Sequence, residues 1–496
     1  MDGTMNNSMS PDLQGRISGM RGVRALLLLV LVALLPWGGD AHAYSLLTHE
    51  QLIDLTWKDS IVPLLLSRYP TLTAAQLDEA RAYAYGGCVI QDIGYYPFGD
   101  ETYSNLTHYV RSGDFVVNLF RNATNADELA FAVGALSHYI GDTVGHPAAV
   151  NIAVPVEFPK LGAQYGPVVN YAEGEHQHVQ TEFAFDINEI AHHRMAPARY
   201  LRHIGLGVPV AQLALAFYQT YGMREDFTGK RGRRINVRAY RFAVRAFIPR
   251  IAYAVTLLHR KHEPADPATP DAITMQQEAL RVATENNWQA YRRKAGIGTW
   301  TLAGLLFVLP KIGPLKLAAV KGPTEATEAE YMHSVVLSTA ALRRVLAGFT
   351  QPGGPRAPAG EVDAATAERP AATPPEHPAS APLQPTAEGP RQSRDPRHPL
   401  TNRDLDTGSP VRPGGYSLTD QTYARLLHML TRQPALPIPP GIKEDIEAYY
   451  VDLDVAFATK KDAQAWADVL ADLETLKGMP TSAEPTPYPT YGDVGQ

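Results

Sequence analysis

Apolar residues recur along this chain at intervals of three and four, with no run of strict alternation, and that spacing predicts helices throughout and no large sheet. Ile53, Val62, Leu64, Leu65 and Leu66 lead into Leu72, Leu77 and Ala80. Thr73 is placed to cap a helix starting at Ala74-Ala-Gln-Leu-Asp-Glu. Glu128 to Tyr139 is small and apolar, as expected of a helix buried on most sides. Residues 148–172 hold Pro155, Pro159, Gly162, Gly166 and Pro167 and predict a long loop. Helical patterning returns over Ala172–His193, Val208–Tyr221 and Val237–Arg260. Residues 44–263 therefore read as one helical domain, and the fold class as all-α.

Residues 264–349 continue as a helical extension with one unusual piece, Thr299-Trp-Thr-Leu-Ala-Gly-Leu-Leu-Phe-Val-Leu-Pro310, running on to about residue 319. Pro310 and Pro314 interrupt it too soon for a bilayer span. A buried helix hairpin is the favoured expectation, an interfacial segment leaning on lipid the other. Residues 350–415 are Pro, Ala, Thr, Glu and Arg with almost no large apolar side chains, which predicts a disordered linker. Leu426, Leu427, Leu430, Ile446, Tyr449, Leu453, Val455, Trp466, Leu470 and Leu473 then mark a small helical module over 416–479, before a Pro-rich tail at 480–496.

Composition narrows the chemistry. With 45 basic against 51 acidic residues, nothing electrostatic argues for a nucleic-acid partner. A single cysteine, Cys88, excludes an intrachain disulfide and thiolate-rich zinc motifs, so a metal site would use His, Asp, Glu and backbone. At the N-terminus, Arg21 and Arg24 precede the apolar run Ala25–Leu35 and an Ala41-His-Ala43 sequence. This is the pattern of a secretory signal, with cleavage expected between Ala43 and Tyr44 and a secreted or periplasmic product. The run is short for a membrane anchor. Residues 1–20 read as an upstream extension, with Met20 as an alternative start.

The candidate chemistry centres on Leu136-Ser-His-Tyr-Ile-Gly-Asp-Thr-Val-Gly-His-Pro147. His138, Asp142 and His146 stand four apart, and at roughly 100° per residue such steps keep side chains on one helical face. Nitrogen and carboxylate donors at this spacing suit a transition metal. Pro147 tends to end regular hydrogen bonding there. His49, Asp92 and His108 lie upstream; downstream, Glu175-His-Gln-His-Val-Gln-Thr-Glu182 puts His178 and Glu182 four apart again. A lone helical histidine is more often packed or solvated than a ligand, but the whole ordered set is hard to obtain by chance. His176, Glu173 and Glu175 face elsewhere on that helix. Asp186 follows Glu182 and could orient His178, although a solvated carboxylate is the more common outcome. His192 and His193 read as surface residues near a helix end. Tyr95, Tyr96, Phe98 and Tyr103 lie between two of these candidates and could line a ligand pocket, with core packing an almost equal reading.

This ordered set resembles the zinc-dependent phospholipase C family and the related single-strand nucleases, which implies a phospholipase C/P1 nuclease-like helical domain with a trinuclear zinc cluster. In that family the mature N-terminal residue binds zinc through its amino nitrogen and carbonyl oxygen, a role that falls to Tyr44. His49 then matches the nearby histidine, Asp92 the bridging aspartate, and His108 the histidine that follows. His138 with Asp142, His146, and His178 with Glu182 complete the ligand set. The resemblance covers roughly 44–190. Three positions depart from the pattern: Tyr44 where Trp is common, Gln91 where Pro precedes the aspartate, and His146 eight residues after His138 instead of ten. The last spacing is similar to the phospholipase C/D domain of glycosylphosphatidylinositol-cleaving enzymes.

The resemblance implies one zinc held by Asp92, His108, His138 and Asp142, a second by Asp142, Tyr44 and His49, and a third by His146, His178 and Glu182. Asp92 would be the catalytic base, and Tyr95, Tyr96 and Phe98 would meet substrate. The implied activity is hydrolysis of phospholipids at a membrane surface. The alternatives are a single-strand nuclease or nucleotidase of the same fold, and a non-catalytic zinc-binding interaction module. No stable protein partner is evident.

Overall fold

The computed structural model describes residues 46–95, 99–225, 227, 237–259, 266–292, 294–308, 322–350 and 400–482. The expected signal segment, Tyr44, Tyr96, Phe98, most of the expected linker and most of the final tail lie outside the described residues. Among the described residues every regular element is helical, with only two isolated bridges, Arg403 with Pro410 and Ile438 with Thr481. The all-α expectation holds.

The helices that frame the site are α1 (Leu46–Thr56), α2 (Ala74–Gly87), α3 (Glu101–Tyr109), α4 (Ala126–Gly145) and α5 (Tyr171–Ala191). The extension contributes α6 (Ile297–Val308) and α7 (Glu325–Thr350), and the C-terminal module α8 (Ser417–Thr431), α9 (Pro440–Tyr449) and α10 (Ala463–Gly478). α2 starts where expected: the Thr73 side chain accepts from the Gln76 amide and Gln76 reaches back to the Thr73 amide, a reciprocal cap.

α4 is the central rod, with α1, α2 and α7 packed around it. Its crossing with α2 is closer than side chains would permit. A Cβ on Gly134 would sit 2.2 Å from the Ala84 carbonyl oxygen, and one on Gly87 2.1 Å from that of Phe131. Two glycines therefore let the backbones meet, and the chain leaving α2 runs directly into the Asp92 turn.

The predicted loop over 148–172 is a correction. It contains the helices Asn151–Glu157 and Pro159–Tyr165, joined to α4 by a wide turn over His146–Val150. Pro147 ends the regular α-helical pattern without reversing the chain, because Pro is tolerated at the first positions of a new helical segment. Pro159 likewise opens its helix.

The extension packs onto the domain. Phe185 of α5 stacks on Tyr331 of α7 at 4.7 Å, and the Tyr331 and Thr48 hydroxyls share a 2.9 Å hydrogen bond. α6 is apolar all round and only half-buried: Leu302, Ala303 and Leu306 are buried, whereas Ile297, Trp300 and Phe307 are exposed. The favoured buried hairpin is thus not seen over 297–308; residues 309–321 lie outside the described residues. No helix among the described residues is long and apolar enough to cross a membrane.

The expected linker is also shorter than its composition implied. Residues 400–415 form turns packed on the domain, with Leu400 and Leu405 buried in the same apolar cluster as Leu426, Leu427, Phe115 and Val116. Burial of each such leucine contributes roughly 1.5–3 kcal/mol. The C-terminal module closes on itself through Tyr423 stacked on Tyr449 at 3.7 Å, and α8 packs against α3.

Candidate metal centre

Each donor is delivered by a different local device. The first turn of α1 is pinned by buried Asp186, which accepts from the Leu47 amide (3.0 Å) and the Thr48 hydroxyl (2.9 Å). His49 follows directly, at the end of that first turn. Asp186 is therefore neither a partner of His178 nor a solvated carboxylate; it satisfies backbone at a helix start. Asp92 sits in the tight turn Gln91–Gly94 between α2 and α3. Gln91 donates to the Ala135 carbonyl of α4 (2.9 Å), while its own carbonyl accepts from Ser104 (2.5 Å) and Thr107 (3.2 Å). A side-chain amide thus ties this turn to α4. His108 ends α3, His138 and Asp142 lie one turn apart on α4, and His146 opens the wide turn. His178 and Glu182 are one turn apart on α5.

The structure brings all eight described donors together. His49 Nε2 lies 3.2 Å and His146 Nε2 3.7 Å from Asp142 Oδ1. His138 Nε2 lies 3.0 Å and His108 Nε2 3.5 Å from Asp142 Oδ2. Asp142 is therefore common to both sides of the cluster. Asp92 Oδ1 is 3.2 Å from His108 Nε2 and 3.7 Å from His138 Nε2. Glu182 Oε1 is 3.0 Å from His178 Nε2 and 3.3 Å from His146 Nε2. These residues fall into three groups that could hold a metal ion: His49–His138–Asp142, Asp92–His108–His138, and His146–His178–Glu182.

Two histidines are held from outside the cluster. His108 Nδ1 contacts the Ser104 carbonyl at 2.8 Å and His138 Nδ1 the Cys88 carbonyl at 3.0 Å, so Nε2 of each points inward. The two Nε2 atoms face each other at 3.4 Å, close enough for one cation to take a donor from each ring. All eight donors are at most 2% exposed, and the buried carboxylate oxygens of Asp92, Asp142 and Glu182 find no hydrogen-bond partner. Such groups share a water-excluded volume only at large desolvation cost unless positive charge balances them. The nitrogen and oxygen donors, without thiolate, fit zinc.

The electrostatics agree. Burial disfavours charge on Asp142, but His138, His146 and His49 hold its carboxyl well below the usual range. Burial opposes protonation of His108, yet Asp142 and Asp92 outweigh it and raise its pKa to about 10. Burial pushes Glu182 up to about 8 and His178 down to about 4. The Cys88 thiol, buried and beside Glu50, Asp54 and Asp92, is pushed well up and stays inert; its backbone is what matters.

Tyr95 lies beside the cluster, its ring 5.4 Å from that of His108 and its hydroxyl donating to Asn105 at 2.8 Å. Tyr103 is core, stacked on Phe217 at 5.0 Å. Glu173 caps α5 through the Asn170 amide, and His192 and His193 sit partly or fully exposed at its end. His176 belongs to none of the three groups.

The sequence reading missed Asp406. Its Oδ1 is 3.8 Å from His146 Nδ1, and its Oδ2 accepts from the hydroxyls of Tyr109 (2.9 Å) and Tyr416 (2.6 Å). No spacing links it to the other donors, and its neighbours have linker composition; its only signal was an acidic pair, Asp404 and Asp406, beside Gly408.

An all-helical domain with buried His/Asp/Glu groups defines the class: an α-helical protein whose residues could hold metal ions. Residues 48–226 match the family described as zinc-dependent phospholipase C. No curated protein and no solved structure matches the chain.

Proposed function

We propose that the chain from Tyr44 is an exported zinc-dependent phospholipase C that hydrolyses phospholipid phosphodiesters. The observation that carries this reading is the gathering of three donor groups, with Asp142 in one and in contact with His108 and His146 of the other two, inside the segment that matches that family. Asp92, His108, His138 and Asp142 would hold one zinc. His49, Asp142 and the Tyr44 amino and carbonyl groups would hold a second, and His146, His178 and Glu182 a third. Bound zinc would polarise the phosphoryl oxygens and acidify water at the cluster.

The chain's own groups supply the rest. Asp142 balances charge on both sides of the cluster. Asp92 accepts the proton of the attacking water and aims it at phosphorus. The Ser104 and Cys88 carbonyls keep His108 and His138 aligned. Tyr95, Tyr96 and Phe98 receive the headgroup.

The protein beginning at Tyr44 should release phosphorylated headgroup from phosphatidylcholine vesicles, stop with chelator and resume with zinc. Chelator-sensitive cleavage of single-stranded DNA instead would favour a nuclease, and inactivity on both a binding module. One extra residue before Tyr44 should cost a zinc and most activity; full activity there would overturn the N-terminal chelate.

A further inference from the structure

Residues 400–416 form a strap across the cluster. The Leu405 amide donates to the carbonyl of His108, itself a metal-donor residue, at 3.1 Å. Tyr139 donates to the Thr401 carbonyl at 2.6 Å and Ser112 to that of Arg403 at 2.6 Å. Asn151 donates to the Asp406 carbonyl at 2.8 Å, and the Tyr416 hydroxyl accepts from the Ala172 amide at the start of α5 at 3.1 Å. Between these anchors the chain turns tightly. Asp404 Oδ1 accepts from the Thr407 amide at 2.9 Å, and Gly408, at φ +67°, rests on the end of α4. A Cβ there would come within 2.3 Å of the Thr143 carbonyl oxygen. The turn presents Asp406 to His146.

We propose that Asp406 is a positioning residue of the third donor group, and that the strap is a working part of the metal centre although it lies outside the segment matched to the family. The inference rests on the proposed function, since it assumes the cluster holds metal. Its basis is a repeated pattern. His108 and His138 each meet an outer oxygen through Nδ1 and turn Nε2 inward, and such outer partners fix the orientation and basicity of a ligating imidazole. His146 also turns Nε2 inward, toward Asp142 and Glu182, and the oxygen facing its Nδ1 is Asp406 Oδ1. Oδ2 is occupied by two hydroxyl donors, which leaves Oδ1 for the histidine. The 3.8 Å separation is charge-pair range, and a small ring rotation as His146 engages metal closes it to a hydrogen bond.

Chelator competition on the full-length mature protein tests this. Wild type should retain about three zinc ions, the last-bound set released in steps. Asp406→Asn should give up one zinc at about 10–100-fold lower chelator concentration while the others stay. A superimposable curve for Asp406→Asn overturns the proposal. Histidine-labelled NMR of zinc-loaded wild type gives an answer that needs no variant. His146 should bind metal through Nε2 and carry a slowly exchanging proton on Nδ1; coordination through Nδ1, or fast exchange there, overturns the proposal. Wild type that takes up no zinc removes the functional reading and this one with it, whereas zinc uptake with an unaltered Asp406→Asn curve removes this one alone.

Discussion

At the residue scale the account turns on Asp142. Its two oxygens serve histidines from α1, α3, α4 and the wide turn after α4, so among the described residues it touches both sides of the cluster. Asp142→Asn should leave the protein folded when metal-free but unable to hold at least two zinc ions, as elemental analysis would show; full zinc content would contradict the bridging role. Protonation gives a second check. Metal-free, His108 titrates at about 10 against its ordinary 6.5, and Glu182 at about 8 against 4.5, so both bind protons more tightly folded than unfolded. Their contribution to stability is present at low pH and is lost as pH rises, through about 8 for Glu182 and about 10 for His108. Chelated protein should therefore melt at progressively lower temperature from about pH 6.5 to alkaline pH, since below that range His178, lowered to about 4, opposes Glu182. Zinc uptake at neutral pH should release about two protons, read by calorimetry in buffers of different ionisation enthalpy. A heat independent of buffer would contradict this.

At the element scale the sequence was legible wherever the signal was local. His138 with Asp142 and His178 with Glu182 lie one turn apart, a spacing visible in the chain itself, and Thr73 announced its cap. The loop expected over 148–172 failed because Pro155 and Pro159 were read as breakers, whereas Pro159 opens a helix and Pro155 is tolerated inside one. Asp186 was misjudged because its partners, Leu47 and Thr48, are about 140 residues away, beyond any helical spacing. The close crossing of α2 and α4 carries its own prediction. Gly134→Ala should destabilise by about 1–3 kcal/mol, because the added methyl collides with backbone and not with a flexible side chain. Denaturant unfolding checks it; an unchanged midpoint would mean that the helices are not in contact there.

At the scale of the whole molecule, the helical domain and its donors were readable because three of the donor residues share one helix and its continuation. The role of 400–482 was not. The turn bearing Asp406 sits in Pro-rich sequence, and its contacts reach back some 250–300 residues, to Tyr109 and Asn151. Only the fold could show that Leu405 belongs to the common core. An engineered protease site within 351–399, once cut, should leave the C-terminal piece bound and zinc retained, as size-exclusion chromatography with metal analysis would show. Dissociation of the pieces would contradict a shared core.

The most direct measurement is diacylglycerol release from phosphatidylcholine vesicles by the protein beginning at Tyr44, followed through chelation and zinc repletion. The account predicts hydrolysis that chelator abolishes and zinc restores. Hydrolysis indifferent to chelator, or none at full zinc occupancy, would contradict it.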